Sequence, residues 1–176
     1  MNITLAKTAG FCFGVNRAVQ MVYDLVDENQ KVCTLGPIIH NSQMVEELKS
    51  KGVRVVDEAT QAHEDEILVI RSHGVGKSVY EEATKAGVKV CDATCPFVAK
   101  IHKIVAEQSA DGDVILIAGD EHHHEVIGII GHCTSQYYVF SNEQELENLM
   151  EKHPEFKEIS ISVVNRLQAS LRVFIM

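Results

Sequence analysis

The sequence predicts an α/β fold with mostly parallel sheets, and three observations carry that expectation. Short β-branched runs alternate with stretches of helical periodicity along almost the whole chain, as repeated strand–helix units require. Several helical stretches close on glycine, a common stop signal. The residues with useful chemistry gather in the segments that follow strands.

Taken in order, strands are expected at Asn2–Ala6, Lys31–Leu35, Val53–Val56, Ile67–Arg71, Val88–Cys91, Val114–Ala118, Tyr137–Phe140 and Glu158–Val164, each rich in β-branched or aromatic residues. The first helix, Val15–Val26, places Val15, Ala18, Val19, Val22 and Val26 on one face. Gln43–Ser50 stops at Lys51-Gly52 and Ser78–Ala86 at Gly87. Phe97–Gln108 carries Phe97, Val98, Ile101, Ile104 and Val105 at helical spacing. Pro96 precedes it at the first helical position, where the missing N–H costs nothing. Ser141 is the expected N-cap of an acidic helix, Glu143–Glu151. The polar stretch Asp57–Glu66 reads as a surface connection. A division of the chain is expected near Cys95-Pro96, where a second strand–helix series begins.

Composition narrows the function. The 176 residues carry 25 acidic and 16 basic side chains, a formal charge of −9, and 45% hydrophobic residues. That is enough apolar material for a core. The acidic balance argues against a nucleic-acid or anionic-membrane surface, which needs clustered Lys and Arg. No apolar run reaches the roughly 18–20 residues of a membrane span, and the start lacks the pattern of a signal peptide. A cytoplasmic protein is expected. Its five cysteines show no disulfide spacing, so thiols, metal ligands or catalysis are their expected roles.

Five strand-to-helix loops hold the chemistry: Gly10-Phe11-Cys12-Phe13-Gly14, Pro37-Ile38-Ile39-His40-Asn41, Ser72-His73-Gly74, Asp92-Ala93-Thr94-Cys95-Pro96 and Gly119 to Glu125. In an open parallel sheet such loops share the carboxyl edge, where ligands bind. Cys12 and Cys95 each fall just before a helix, whose N-terminus favours the metal-binding thiolate. Cys33 and Cys91 sit inside strands and read as small buried hydrophobes, and Cys133 reads the same way. No C-x-x-C pair exists, which argues against a zinc ribbon or thioredoxin-type site. His40, His73 and His123 are placed to donate to an anion beside helix N-termini, although a single loop histidine is usually just solvated. Glu125 is placed for proton transfer; its plain alternative is a first-turn acid stabilising its helix. The run His122-His123-His124 cannot turn all three rings onto one metal. Gly74-Val75-Gly76-Lys77-Ser78 ends like a P-loop but has Arg71 where the opening glycine belongs. Val79 stands where a dinucleotide fingerprint needs its third glycine.

At these residues the chain resembles a known family, the iron–sulfur enzyme 4-hydroxy-3-methylbut-2-enyl diphosphate reductase of the non-mevalonate isoprenoid route. Gly10-Phe11-Cys12-Phe13-Gly14-Val15, Ile39-His40-Asn41, Ser72-His73-Gly74-Val75, Asp92-Ala93-Thr94-Cys95-Pro96 and the stretch His123 to Gly128 match its motifs in order and spacing. The resemblance spans about Asn2 to Val164. It implies three related α/β lobes around a 4Fe–4S cluster, held by one cysteine per lobe. Cys12 and Cys95 would be two of those ligands. His40, His73 and His123 would bind the diphosphate, and Glu125 would relay a proton. Ferredoxin or flavodoxin would supply the electrons, and isopentenyl and dimethylallyl diphosphates would be the products.

The chain also departs from the family. His124 stands where the family commonly has proline. Val163-Val164 runs into Asn165-Arg166-Leu167-Gln168-Ala169-Ser170 where the family has Gln-Thr-Thr. The third lobe, with the third cysteine, is expected to be missing; Cys133 is a poor substitute, because it falls in the second lobe. Codons such as AAC-AGA-CTA-CAA-GCT-TCN for 165–170, read from the third base, give Gln-Thr-Thr-Ser-Phe. A frameshift near Val164 is therefore the expected origin of the tail. The expected organisation is a first lobe at 1–95, an incomplete second lobe at 96–164 and an aberrant tail at 165–176. Two other functions compete: a non-catalytic fragment that binds anions, and a mononuclear zinc hydrolase using Cys12, Cys95 and a histidine.

Overall fold

The computed structural model describes residues 4, 10–158, 162–166 and 172–175. All but Thr4 of the strand expected at Asn2–Ala6 lies outside the described residues. The elements run α1 (Phe13–Asp27), β1 (Lys31–Leu35), α2 (Ser42–Ser50), β2 (Arg54–Val56), β3 (Glu66–Ile70), α3 (Lys77–Lys85) and β4 (Lys89–Asp92). They continue with α4 (Pro96–Ala110), β5 (Ile115–Ala118), α5 (His124–Ile130), β6 (Tyr137–Phe140), α6 (Glu143–Lys152), β7 (Ser162–Arg166) and β8 (Arg172–Ile175). Short 3-10 turns occupy Ala59–Gln61 and Pro154–Glu158. Among the described residues no helix is long and apolar enough to cross a membrane.

The described chain divides into two compact units. One holds the described residues up to Ser72 together with Val88–Cys95; the other holds His73–Gly87 and the described residues from Pro96 onward. Of the five expected loops, three follow strands of one four-stranded sheet and the Gly119–Glu125 loop follows a strand of another; the strand expected before the Cys12 loop lies, but for Thr4, outside the described residues.

In the first unit the strand order is β2-β1-β3-β4, and every pairing is parallel. Central β3 is apolar throughout Ile67–Ile70, and Leu68, Val69 and Ile70 are wholly buried, as a strand covered on both faces should be. Edge strand β2 is only three residues long, which limits unwanted pairing there. The apolar stripe of α1, Ala18, Val19 and Val22, packs with Val32, Ile38, Leu48 and Val69 into one core. Buried Glu66 is neutralised by Arg54, whose Nε lies 3.0 Å away, and it accepts the His63 backbone N–H at 2.8 Å. This carboxylate pins the Asp57–Glu66 connection to the sheet.

In the second unit the order is β6-β5-β8-β7. Strands β5 and β6 are parallel, but β8 runs antiparallel to both β5 and β7. Between β7 and β8 the five intervening residues are too few for a parallel crossover, which needs a dozen or more. The core combines Ile101 and Val105 of α4, Ile115 and Ile117 of β5, and Val126 and Ile129 of α5. One expected cap is corrected: Asn142, not Ser141, caps α6, its side chain accepting the Glu145 N–H at 3.0 Å. Asparagine is as good a cap as serine.

Candidate functional site

In the first unit, Cys12 is the N-cap of α1, with extended backbone (φ −64°, ψ 164°) and an exposed side chain. Its carbonyl accepts the Asn16 N–H at 2.9 Å, and Asn16 Nδ2 donates to the Phe11 carbonyl at 2.9 Å, so the turn carrying the thiol is tied at both sides. Two residues on, buried Gly14 lies against Cys95. A Cβ at Gly14 would sit 2.6 Å from the Cys95 Sγ, and only glycine lets the first turn of α1 approach that thiol. The loop of Cys95 is also fixed. Its N–H donates to the Ser72 carbonyl at 2.9 Å, the Thr94 N–H to Asp92 Oδ1 at 2.9 Å, and Arg17 Nη1 to the Thr94 carbonyl at 3.2 Å. The loop of Cys95 and the turn of Cys12 thus meet, each immediately preceding a helix.

The other cysteines differ in kind. Burial pushes the Cys33 thiol up to about 12, helped by the nearby Glu66 carboxylate. Burial pushes Cys133 up to about 11 and raises Cys91. Cys133 also donates to the Ile129 carbonyl at 3.6 Å. Burial thus disfavours the thiolate form at all three.

His40 is exposed, one residue before Asn41, which caps α2 by accepting the Met44 N–H at 3.1 Å. Arg71, immediately after β3, was not expected among the site residues. Its guanidinium lies over Gly36, where a Cβ would fall 2.9 Å from Nη1, and burial draws it below the usual arginine range. A cation directly ending an apolar strand was the available sequence signal.

The second unit brings His73 and His123 together, with ring centroids 6.2 Å apart at an interplanar angle of 78°; His124 lies 6.3 Å from His73. His123 caps α5: its Nδ1 accepts the Glu125 N–H at 3.2 Å. An accepting Nδ1 carries no proton, so Nε2 of the neutral ring holds the hydrogen and is the donor. Glu125, in the first turn of α5, is buried. His122 instead faces an exposed Glu121 at 3.6 Å.

The loop of His73 is clamped from α5. The Lys77 N–H donates to the Gly131 carbonyl at 3.2 Å, and His132 Nε2 donates to the Val75 carbonyl at 3.0 Å. Gly76 and Gly131 meet backbone to backbone; a Cβ at Gly76 would come within 2.9 Å of the Gly131 Cα. The His132 ring stacks on buried His102, centroids 4.3 Å apart and 23° from parallel. Neither ring was singled out from the sequence. His102 did carry a signal, a polar residue beside Ile101 on the apolar face of α4.

A cluster of iron and sulfide needs soft, anionic ligands. Cys12 and Cys95 fit two such positions, since their carriers meet at Gly14 and both precede helices. Among the described residues no group of three or more His, Cys, Asp or Glu side chains converges to hold a single metal ion.

Comparison with known proteins bears on both units. Residues 3–173 match the family described as LytB protein. A 4-hydroxy-3-methylbut-2-enyl diphosphate reductase of Clostridioides difficile (strain 630) is 41% identical over 97% of this chain and 65% of its own length. One from Caldanaerobacter subterraneus subsp. tengcongensis is 44% identical over 85% of this chain and 53% of its own. Among solved structures, the reductase from Plasmodium falciparum superposes with a TM-score of 0.74 at 27% identity, covering 80% of this chain and 45% of its own. A second, described as the terminal enzyme of the non-mevalonate pathway, gives 0.72 at 39% identity, covering 85% and 54%. The chain thus spans between about half and two thirds of the length of these relatives.

Proposed function

The chain belongs to the LytB protein family, and on that premise we propose that it serves the reductive dehydroxylation of 4-hydroxy-3-methylbut-2-enyl diphosphate. The observation that carries this reading is the meeting of the Cys12 and Cys95 carriers at Gly14, two thiols that each immediately precede a helix. Cys12 and Cys95 are the proposed protein ligands of a 4Fe–4S cluster. When bound, that cluster supplies two electrons and a Lewis-acidic iron. In the net reaction the allylic C–O bond breaks, two electrons and two protons are taken up, and the oxygen leaves as water. The products are isopentenyl or dimethylallyl diphosphate, according to which allylic carbon takes its proton.

The remaining roles belong to this chain's own groups. His73 and His123, held at 6.2 Å, donate to the diphosphate oxygens, His123 through Nε2–H. His40, before the N-terminus of α2, is the third proposed donor, and Glu125 holds the proton delivered during the reaction. The lobes of the family correspond here to 1–95 and 96–164. Ferredoxin or flavodoxin is the proposed electron donor. A reducing cytoplasm is the proposed compartment, which suits a chain whose five cysteines are all free.

Titration of the allylic diphosphate substrate into the chain tests the reading. Binding that His73→Asn and His123→Asn each weaken about tenfold, the worth of one charge-assisted hydrogen bond, is the expected result. Absent binding, or binding indifferent to both substitutions, contradicts it.

A further inference from the structure

Among the described residues, Arg71 is a charge without a counter-charge. It directly follows β3, at the carboxyl end of the first unit's sheet. Its Nε is sealed from solvent and has no hydrogen-bond partner, and none of the ion pairs among the described residues involves it. The position is built rather than incidental. On either side of Arg71, the Ile70 carbonyl accepts the Ala93 N–H at 3.0 Å and the Ser72 carbonyl accepts the Cys95 N–H at 2.9 Å. The guanidinium lies against Gly36, which adopts φ 66° and so favours glycine on two counts: conformation, and the room that Nη1 needs. A guanidinium cannot shed its proton to escape burial, and a charge half withdrawn from water without a counter-charge carries a desolvation cost. A residue kept in that state at the ligand-binding edge of a parallel sheet is poised for an anion.

We propose that Arg71 is an oxyanion-binding residue of this chain, the fork of its two Nη groups taking a phosphoryl group of the diphosphate ligand. The fork matches two phosphate oxygens at once, where an ammonium offers a point charge. The identity of the ligand rests on the function proposed above; the unpaired cation does not. Arg71 thereby gives an acidic protein a fixed positive charge for an anionic ligand.

Inorganic pyrophosphate is the probe, with calorimetric titration and thermal melting of the 176-residue chain. The wild type is expected to bind pyrophosphate and to melt higher in its presence. Arg71→Met should lose at least about tenfold in affinity, and Arg71→Lys should fall between the two. Without anion, Arg71→Met should melt at or above the wild-type temperature, because a half-buried charge without a counter-charge has been removed. A structural arginine holding its loop would give the opposite sign, so a clearly lower melting temperature without anion overturns the proposal. Wild-type affinity in Arg71→Met overturns it as well. If His73→Asn and His123→Asn weaken binding while Arg71→Met does not, the histidine reading stands and Arg71 falls. If only Arg71→Met weakens it, Arg71 stands and the histidine reading falls. A wild type that does not bind pyrophosphate removes both.

Discussion

At the scale of single residues, His123 does two jobs with its two ring nitrogens. Nδ1 caps α5, which leaves Nε2–H as the donor, so replacing the ring by different side chains separates the roles. His123→Ala should cost about 1 kcal/mol of stability, the usual loss of an N-cap, measured by urea unfolding. His123→Asn should keep the cap and the stability yet lose substrate binding. Cys33 makes a second prediction, about alkaline pH. Its thiol is pushed up to about 12 in the fold, first by burial, against roughly 8.5 in an unfolded chain. Above pH ~8.5 the unfolded chain gives up this proton and the folded one does not. Stability is therefore fully present below that pH and falls as pH rises towards 12, by at most about 1.4 kcal/mol per pH unit for one thiol. Cys133 acts in the same sense up to about 11. Unfolding free energies at pH 7.5 and pH 10 should converge more closely in Cys33→Ala than in the wild type; an equal alkaline loss in both would contradict the assignment.

At the scale of elements, the loop of His73 owes its place to the end of α5. Gly76 and Gly131 permit the backbones to touch, and a methyl group there meets backbone, which cannot rotate aside. Gly76→Ala should destabilise by about 1–3 kcal/mol, and thermal melting would read it. His132→Phe should keep a ring over His102 but lose the Val75 hydrogen bond, seen as faster amide exchange at Gly76 and Lys77. Most elements were legible because their signals are local. β-branched runs bound Lys31–Leu35 and Tyr137–Phe140 to the residue, and Cys12 and Cys95 precede their helices by one position because Pro96 and the stripe of α1 set those starts. The strands at 54–56, 66–70 and 89–92 shift by a residue or so because pairing with neighbours decides strand ends. Strand β8 was not legible, since its place in the sheet depends on pairing with β5, which is distant in sequence. Arg71 and His132 escaped for the same reason: their chemistry lies in what packs around them.

At the scale of the whole molecule, the similarity extends through residue 173, yet the chain covers between about half and two thirds of the length of its relatives. The enzyme's cluster is proposed to draw two ligands, Cys12 and Cys95, from the residues described. Exposed Phe11 and Phe13 flank the first of these thiols. Two thiolates bind such a cluster less firmly than a full ligand set, so iron and sulfide taken up by this chain should be stripped readily by a chelator. The account's central claim is that Cys12 and Cys95 are those ligands. Anaerobic reconstitution with iron and sulfide, followed by analysis of both per chain, tests it most directly. The account predicts uptake by the wild type that Cys12→Ser or Cys95→Ser abolishes and Cys133→Ser leaves intact. No uptake by the wild type, uptake indifferent to the first two substitutions, or uptake lost only in Cys133→Ser would contradict it.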